Sequence, residues 1–378
     1  MKKEILVFTQ GDSSLVKTWS NVPYFFTTTL EKKGYIVHRI NTERFKFLTR
    51  CINKTMRVVF KSVTIDVHTM NIYRKFVNKS MKKAISKYPN SDLIISTDFN
   101  YSGAQITNKI PSLVYCDWTY EYLITQIQNR KPNIIERRTI ALQNKQVEIS
   151  TYVIALFPRV CEYMRNIYKN KNIYYIGNVI NSDLYDVKET IIDDKLTSSL
   201  IVFIGGYKYK AAAEALIKAI KLYNINNDRN VVLNIIGMKQ TGFEDNEFTK
   251  WHGYLDKNNS NQKKLYYDII RKSKICINTY EQWSGFSSLV EAMYFYTPII
   301  TFPFGEMVET FGEKIKFGYY CKKNDASLIF EYISKIFNQD TKEYINMCLD
   351  AHKKVEDFTW DRYIDKLLGI VELRLYED

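Results

Sequence analysis

The segment 281–293, with sequence EQWSGFSSLVEAM, has a pattern suited to a ligand with phosphate or hydroxyl groups. Its glycine permits close approach of the backbone, and amides at the start of a helix bind anions. Glu291, about one turn into that helix, could accept two hydroxyl hydrogen bonds from a ribose. The alternative is an ordinary strand–glycine–helix turn with a solvated Glu291. The candidate binding residues of this segment are Ser284, Gly285, Phe286, Ser287, Ser288 and Glu291.

A second glycine turn lies at 205–210, with sequence GGYKYK. Such a turn lets the backbone approach a diphosphate, and the ammonium groups of Lys208 and Lys210 would neutralise its charge. The alternative is a tight turn with two solvated lysines. Because both segments follow strand-like runs, we expect them on equivalent loops of one sheet, where together they favour a diphosphate ligand.

Three polar positions follow strand-like runs in the first half of the chain. Gly11 opens the loop Gly11-Asp12-Ser13, and Asp98 and Asp117 each end an apolar run. A carboxylate at such a position could orient a ligand hydroxyl. The alternative for each aspartate is an N-cap of the following helix.

The region 44–83 is strongly basic, with eleven lysines and arginines and Asp66 as its only acid. Apolar residues recur near helical spacing from Phe45 to Val59. A basic amphipathic segment of this kind predicts binding to an anionic membrane surface. A solvated lysine-rich helix face is the alternative, and without a nucleic-acid-binding motif we do not expect nucleic acid as a partner.

The elements that must position these residues are short apolar runs separated by helical patterns. Continuous apolar strands alternating with helices predict parallel sheets covered on both faces. The pattern starts again near residue 200, after a polar, acidic segment at 181–199 that we take as a linker. The prediction is an α/β protein with two doubly wound units and a ligand cleft between them. The expected strands are 4–9, 35–40, 91–96, 111–116, 152–157, 173–176, 200–204, 231–236, 275–278 and 297–301.

Composition excludes several classes of protein. The 378 residues are 46% hydrophobic and 25% charged, which excludes a disordered or low-complexity chain. No apolar run approaches the length of a transmembrane helix, and the start of the chain is too short for a signal-peptide core. The six cysteines are scattered beside only four histidines, so we expect no metal site. Residues 1–180 carry a net charge of +16 and residues 181–378 carry −3, which suggests two domains with different partners.

The ordered motifs of residues 170–365 resemble family-4 glycosyltransferases, which have the GT-B fold and are retaining enzymes. Residues 283–300 look like the donor-binding segment, and the turn at Gly205-Gly206 with Lys208 and Lys210 resembles the first loop of the donor domain. The run ending in Gly237 resembles the next strand, and His252-Gly253-Tyr254-Leu255 resembles the strand lining the base pocket. Residues 357–360, DFTW, resemble the signature before the last helix, and residues 1–170 match only in outline.

The resemblance implies roles for particular residues. Glu291 matches the second, ribose-binding glutamate of the family's E-x7-E motif, and Tyr254 and Leu255 match the base pocket. The first glutamate is absent, and Glu281, serine hydroxyls or backbone amides are candidates for its role. The family's arginine after the glycine turn is Tyr207 here, so phosphate contact passes to Lys208 or Lys210, of which we favour Lys210. Gly11 matches the loop near the reacting sugar, and Asp117 stands where the family often has a histidine.

We therefore expect a retaining glycosyltransferase that takes a nucleotide-diphosphate sugar and a saccharide or lipid-linked acceptor, in surface polysaccharide or glycolipid synthesis. The resemblance implies no metal and no cofactor. The expected domains are 1–182 for the acceptor and 190–361 for the nucleotide sugar, with a last helix at about 362–378 crossing back onto the first. The expected location is the cytoplasm, or the inner face of the membrane. The alternatives are a GT-B nucleotide-sugar epimerase and a non-catalytic relative that binds a lipid or a partner transferase.

Overall fold

The computed structural model describes residues 3–16, 18–43, 70–182, 187–228, 230–282 and 286–375. It divides into two compact units. The first unit comprises Met1–Asn178 with Trp360–Asp378, and the second unit comprises Val179–Thr359.

The first unit is built on a six-stranded sheet in the order β2-β1-β3-β4-β5-β6, with every neighbouring pair parallel. Its strands are β1 Glu4–Thr9, β2 Ile36–Asn41, β3 Leu93–Ser96, β4 Ser112–Cys116, β5 Tyr152–Ala155 and β6 Ile173–Tyr174. Its helices are α1 Val22–Lys32, α2 Asn71–Lys87, α3 Tyr120–Tyr122, α4 Ile134–Ile149 and α5 Pro158–Ile167. The central strands are apolar and buried along their whole length, as expected for a sheet covered on both faces.

The second unit repeats this architecture with the strand order β12-β11-β10-β7-β8-β9, again with parallel pairs throughout. Its strands are β7 Leu200–Ile204, β8 Val232–Ile236, β9 Thr249–Gly253, β10 Ile275–Asn278, β11 Ile299–Thr301 and β12 Gly318–Tyr320. Its helices are α6 Ile191–Leu196, α7 Lys210–Asn227, α8 Ser260–Lys272, α9 Phe286–Tyr294, α10 Gly305–Phe311, α11 Ala326–Phe337 and α12 Thr341–Val355. The predicted α/β class with two parallel sheets is confirmed.

The last helix, α13 Trp360–Leu375, belongs to the first unit. The Trp360 ring packs edge-on against Phe26 of α1, with ring centroids 5.9 Å apart. Lys33, just after α1, pairs with Asp365 of α13 at 2.7 Å. An aromatic contact and an ion pair thus hold α13 against α1.

The interpretation of 181–199 as a linker is wrong in its second half. Ile191–Leu196 forms α6, and Ile191, Ile192 and Lys195 are buried. The Lys195 ammonium donates to backbone carbonyls at the end of α8, so this acidic stretch is a packed part of the second unit. A polar composition did not reveal this packing because the apolar residues of α6 are few. Residues 183–186 lie outside the described part.

None of the helices in the described residues is long and apolar enough to cross a membrane.

Candidate functional site

Three glycine turns meet at the carboxyl edge of the second sheet. Gly237, after β8, has φ +102°, and a Cβ there would lie 2.6 Å from the carbonyl oxygen of Gly205, after β7. Its amide donates to the carbonyl of Gly253, at the end of β9, at 2.7 Å. Only glycine allows this backbone contact. A Cβ on Gly206, by contrast, would meet nothing within 4 Å, so the backbone at Gly206 is open to a ligand.

The two candidate lysines have different surroundings beside this turn. Lys208 is exposed, and its ammonium lies 4.7 Å from the ring centre of Tyr209. Lys210 begins α7, pairs with Glu214 at 3.4 Å and lies 5.3 Å from the ring centre of Phe243. Both lysines directly follow the open turn along the chain, and Lys210 is the more constrained of the two because its ammonium contacts Glu214 and the Phe243 ring.

Tyr207, which replaces the family's arginine, contacts the next loop of the same edge. Its hydroxyl lies 3.2 Å from both the amide nitrogen and the carbonyl oxygen of Lys239. This contact places the backbone of Lys239, an exposed residue, against the residue that precedes Lys208, so the loop after β8 adds a further lysine to this edge of the sheet. Sequence reasoning missed Lys239 because it lies 29 residues after Lys210 in a polar loop.

Glu291 is a buried, paired carboxylate on α9. It is 5% exposed, so the alternative of a solvated helix residue is wrong. Its Oε1 accepts from Nζ of Lys257 at 2.7 Å, and its Oε2 accepts from the hydroxyl of Tyr266 at 2.7 Å. Burial and the neighbouring Glu291 raise the pKa of Tyr266 well above its ordinary value, so this hydroxyl stays a donor. Sequence reasoning missed both partners.

The start of α9 is described only from Phe286 onward; Ser284 and Gly285 lie outside the described residues. Phe286 is buried, and its ring lies 6.0 Å from that of Phe311, so its side chain belongs to the core. Ser287 is exposed and Ser288 is half-buried.

Glu281 is exposed after β10, and its Oε1 accepts from the backbone amide of Asn324 at 2.9 Å. The side chain of Asn324 in turn donates to the carbonyl of Ala211 in α7 and accepts from the hydroxyl of Thr279. Glu281 therefore ties the loops after β10 and β12 together near the start of α7.

The residues predicted to line a base pocket follow β9. Tyr254 is 72% exposed and offers an aromatic ring at the surface, whereas Leu255 is buried. His252 bonds the amide oxygen of Asn234 through Nε2 at 2.9 Å, and burial with nearby Lys250 lowers its pKa. The His252 side chain thus ties β9 to β8.

The three first-unit candidates also lie at strand ends, in different roles. Gly11 is buried with φ +103° and donates its amide to the Asn41 side chain. Asp98 accepts from two backbone amides just after it and from Gln10, so it closes a local turn; it is not an N-cap, because Ser102 caps the next helical turn. Asp117 is not an N-cap either, because the N-cap of α3 is Thr119.

Asp117 directly follows β4, and its carboxylate accepts from the thiol of Cys116 at 3.5 Å. Burial raises the pKa of Asp117, and burial beside this carboxylate raises the pKa of Cys116 well above the usual value. A partly desolvated acid at a strand end is a candidate functional group.

No group of three histidine, cysteine or acidic residues that could hold a metal occurs in the part of the chain that the structure describes.

These two units define the GT-B fold. Residues 187–354 match the family described as "Glycosyl transferases group 1", so the match covers most of the second unit. The comparison with curated protein sequences finds no significant match.

Solved structures share this fold over their whole length at low identity. Sucrose-phosphate synthase from Thermosynechococcus elongatus superimposes with a TM-score of 0.68 at 13% identity, covering 100% of both chains. Trehalose 6-phosphate synthase from Burkholderia multivorans gives 0.65 at 9% identity, again covering 100% of both chains. HepE from Anabaena, solved in complex with UDP and glucose, gives 0.59 at 11% identity, covering 97% of this chain and 99% of HepE.

Proposed function

We propose that this protein is a retaining glycosyltransferase that moves a sugar from a nucleotide-diphosphate sugar to an acceptor hydroxyl in surface polysaccharide or glycolipid synthesis. The observation that carries the proposal is the edge of the second sheet, where an open glycine turn, three lysines and the buried carboxylate of Glu291 lie within the stretch matched by the glycosyltransferase family. The presence of UDP and glucose in the Anabaena structure of the same fold supports a nucleotide-sugar donor.

In this proposal the diphosphate lies against the backbone of Gly206, with Lys208 and Lys210 neutralising its charge. A sugar–phosphate bond breaks more easily when the departing diphosphate is stabilised by fixed cations and amides. Glu291 accepts the ribose hydroxyls, and Tyr254 with Leu255 contacts the base. Retention of configuration, and the absence of a metal or cofactor, are proposed from the family resemblance.

We assign Asp117 the role of orienting a hydroxyl of the donor sugar or the acceptor. Its position after β4 and its raised pKa support this role, because a desolvated carboxyl group binds a hydroxyl more strongly than a solvated one. Glu281 keeps its candidacy for the role of the missing first glutamate, although one of its oxygens already holds Asn324.

We also propose that the acceptor is presented at an anionic membrane surface on the cytoplasmic side, and that the basic region 44–83 binds that surface. Residues 44–69 lie outside the described part. In the described part, Arg74 is buried and donates to the carbonyl of Asn100, so it does not contribute to the basic surface that would contact the membrane. Support comes from exposed cations of α2, which also carries Phe76 with a 43% exposed ring. These cations are Lys75, Lys79, Lys82, Lys83 and Lys87.

The test is a binding and turnover series with UDP, GDP, ADP and CDP and their common sugars. A ligand that binds only the folded state raises stability by about 2.7 kcal/mol at a hundredfold excess over its Kd. One nucleotide should raise the Tm, and its sugar should then be transferred to an acceptor. Conversion of the donor sugar without an acceptor would instead identify an epimerase. Binding without turnover, or no binding by a folded sample, would indicate a non-catalytic relative.

A further inference from the structure

The carboxylate of Glu291 is held from two sides by side chains of different elements. Lys257 lies in the loop between β9 and α8 and reaches Oε1, while Tyr266 lies on α8 and reaches Oε2. The Lys257 ammonium also lies 4.1 Å from the ring centre of Tyr266, and its side chain is 17% exposed. These three side chains form one connected group.

The loop that carries Lys257 is itself fixed. The amide of Asp256 donates to the side chain of Gln262 at 2.7 Å, and the Asp256 carboxylate accepts from the amide of Asn258 at 2.9 Å. Asn259 then caps α8 by accepting from two amides of its first turn. These hydrogen bonds fix the conformation of the turn, and the turn places Lys257 within hydrogen-bond distance of Glu291.

Lys257 and Tyr266 occupy only part of the hydrogen-bond acceptor positions of the Glu291 carboxylate. A carboxylate has about four acceptor positions, and Lys257 and Tyr266 use one on each oxygen. Counting the bonds made by the described residues, one position remains on each oxygen, which is the number that two neighbouring ribose hydroxyls require. The ammonium places a positive charge 2.7 Å from one carboxylate oxygen, and the phenol restricts rotation of the carboxylate through its bond to the other.

We propose that Lys257 and Tyr266 are positioning residues that hold Glu291 for both ribose hydroxyls and so determine the preference for a ribonucleotide over a deoxyribonucleotide. This inference rests on the proposed function, since it requires a nucleotide at Glu291. Loss of either partner leaves the carboxylate free to turn away from the ribose.

The experiment compares the Kd values of UDP, GDP, ADP and CDP with those of their 2′-deoxy forms by calorimetry. For the nucleotide that binds wild type, we expect a preference for ribose of roughly 10- to 100-fold, the range of a hydrogen bond to a charged group. Lys257→Met and Tyr266→Phe should reduce this ratio toward 1, mainly by weakening the ribonucleotide. Lys257→Arg should keep most of the ratio, because it preserves the cation.

Lys335→Met is the matched control, since it removes an exposed lysine paired with Glu331 on α11. It should keep the wild-type ratio. If Lys257→Met fails to fold, Tyr266→Phe still tests the inference, because it removes one hydroxyl and keeps the ring.

The outcomes separate the two proposals. If Lys257→Met and Tyr266→Phe fold and keep the full ratio, or if wild type shows no preference for ribose, the positioning inference is overturned while nucleotide binding stands. If folded wild type binds none of the four ribonucleotides, the proposed function and this inference fall together.

Discussion

Glu291 and Lys210 share the proposed chemistry, but they differ in what their removal does to the protein. Lys210 is about two-fifths exposed, and its pair with Glu214 lies on the helix surface, where such pairs contribute little to stability. Glu291 is buried beside Lys257, so removing the Glu291 side chain leaves a half-buried ammonium without its partner. We therefore expect Glu291→Ala to reduce both ligand binding and the stability of the folded protein.

Lys210→Ala should reduce transfer by about 100-fold or more, the usual effect of removing a group that stabilises developing charge. Its Tm should stay close to wild type because its ion pair with Glu214 lies on the helix surface. The measurement is turnover together with a thermal melt, and Lys218→Ala, on the same helix and exposed, is the control. Near-wild-type turnover in Lys210→Ala would remove this lysine from the site.

Glu291→Gln should lower transfer by a similar factor while keeping the shape of the side chain. Glu291→Ala should in addition lower the free energy of unfolding by about 3 kcal/mol, because Lys257 and Tyr266 both lose their acceptor oxygens, whereas glutamine keeps one. Urea unfolding of both variants separates the two effects. An alanine variant as stable as wild type would contradict the buried pair.

Gly206→Ala tests the open backbone of the glycine turn. The φ of this residue is −83°, and a Cβ would meet nothing within 4 Å, so the fold should tolerate the methyl group. Nucleotide affinity should fall by about tenfold or more if a diphosphate lies against this backbone. Gly237→Ala, where a Cβ would meet Gly205, should instead destabilise the unit. Unchanged affinity in Gly206→Ala would place the diphosphate elsewhere.

At the scale of the elements, the short helix α6 supplies hydrogen-bond donors to the carboxyl end of α8. The ammonium of its Lys195 donates to the carbonyls of Ile270, Arg271 and Ser273 and to the hydroxyl of Thr297, at 2.7 to 3.1 Å. Carbonyls in the last turn of a helix have no partner within the helix. A fully buried lysine here supplies those donors from another element.

Lys195→Met should lower the free energy of unfolding by about 3 kcal/mol, because it leaves several buried carbonyls without donors. Burial lowers the pKa of Lys195 to about 7, against 10.5 for the ordinary group. The unfolded chain therefore binds more protons above pH 7, and the Lys195 contribution to stability rises with pH from about 7. Urea unfolding of wild type and Lys195→Met from pH 6 to 8.5 should show a widening difference above pH 7. A constant difference would contradict the lowered pKa.

At the scale of the whole molecule, the charge is concentrated in the first half, with +16 over residues 1–180 and −3 over the rest. Each basic residue near an anionic bilayer contributes about 1 kcal/mol to binding. This asymmetry predicts that the first unit, rather than the second, binds the membrane.

Charge reversal tests this prediction in flotation with phosphatidylserine vesicles. The Lys75→Glu, Lys79→Glu, Lys82→Glu triple variant should bind about 100-fold more weakly than wild type. Binding by wild type should also weaken at high salt. The matched control reverses Lys218, Lys221 and Lys264, three exposed lysines of the second unit, and should float like wild type. Absence of salt-sensitive binding by wild type would discard the membrane proposal.

The sequence alone determined the α/β class, the core strands and the glycine turn at 205–206, because these depend on local patterns of apolar residues and on backbone freedom. Runs such as Leu200–Ile204 and Ile275–Asn278 are buried strands with the predicted bounds. Gly237 was singled out from its place after a strand, and its positive φ gives the physical reason for a glycine there.

Only the tertiary structure decided how the charged groups are paired. Lys257 and Tyr266 lie 34 and 25 residues before Glu291, and neither has a local pattern that distinguishes it from a solvated loop lysine or a core tyrosine. Lys195 likewise lies in an acidic stretch that gives no local sign of its burial. Glu281 accepts a hydrogen bond from the amide of Asn324, which lies 43 residues further along the chain. Such pairs form where the chain returns to the same sheet edge or helix end, so their partners follow from strand order rather than from spacing along the sequence.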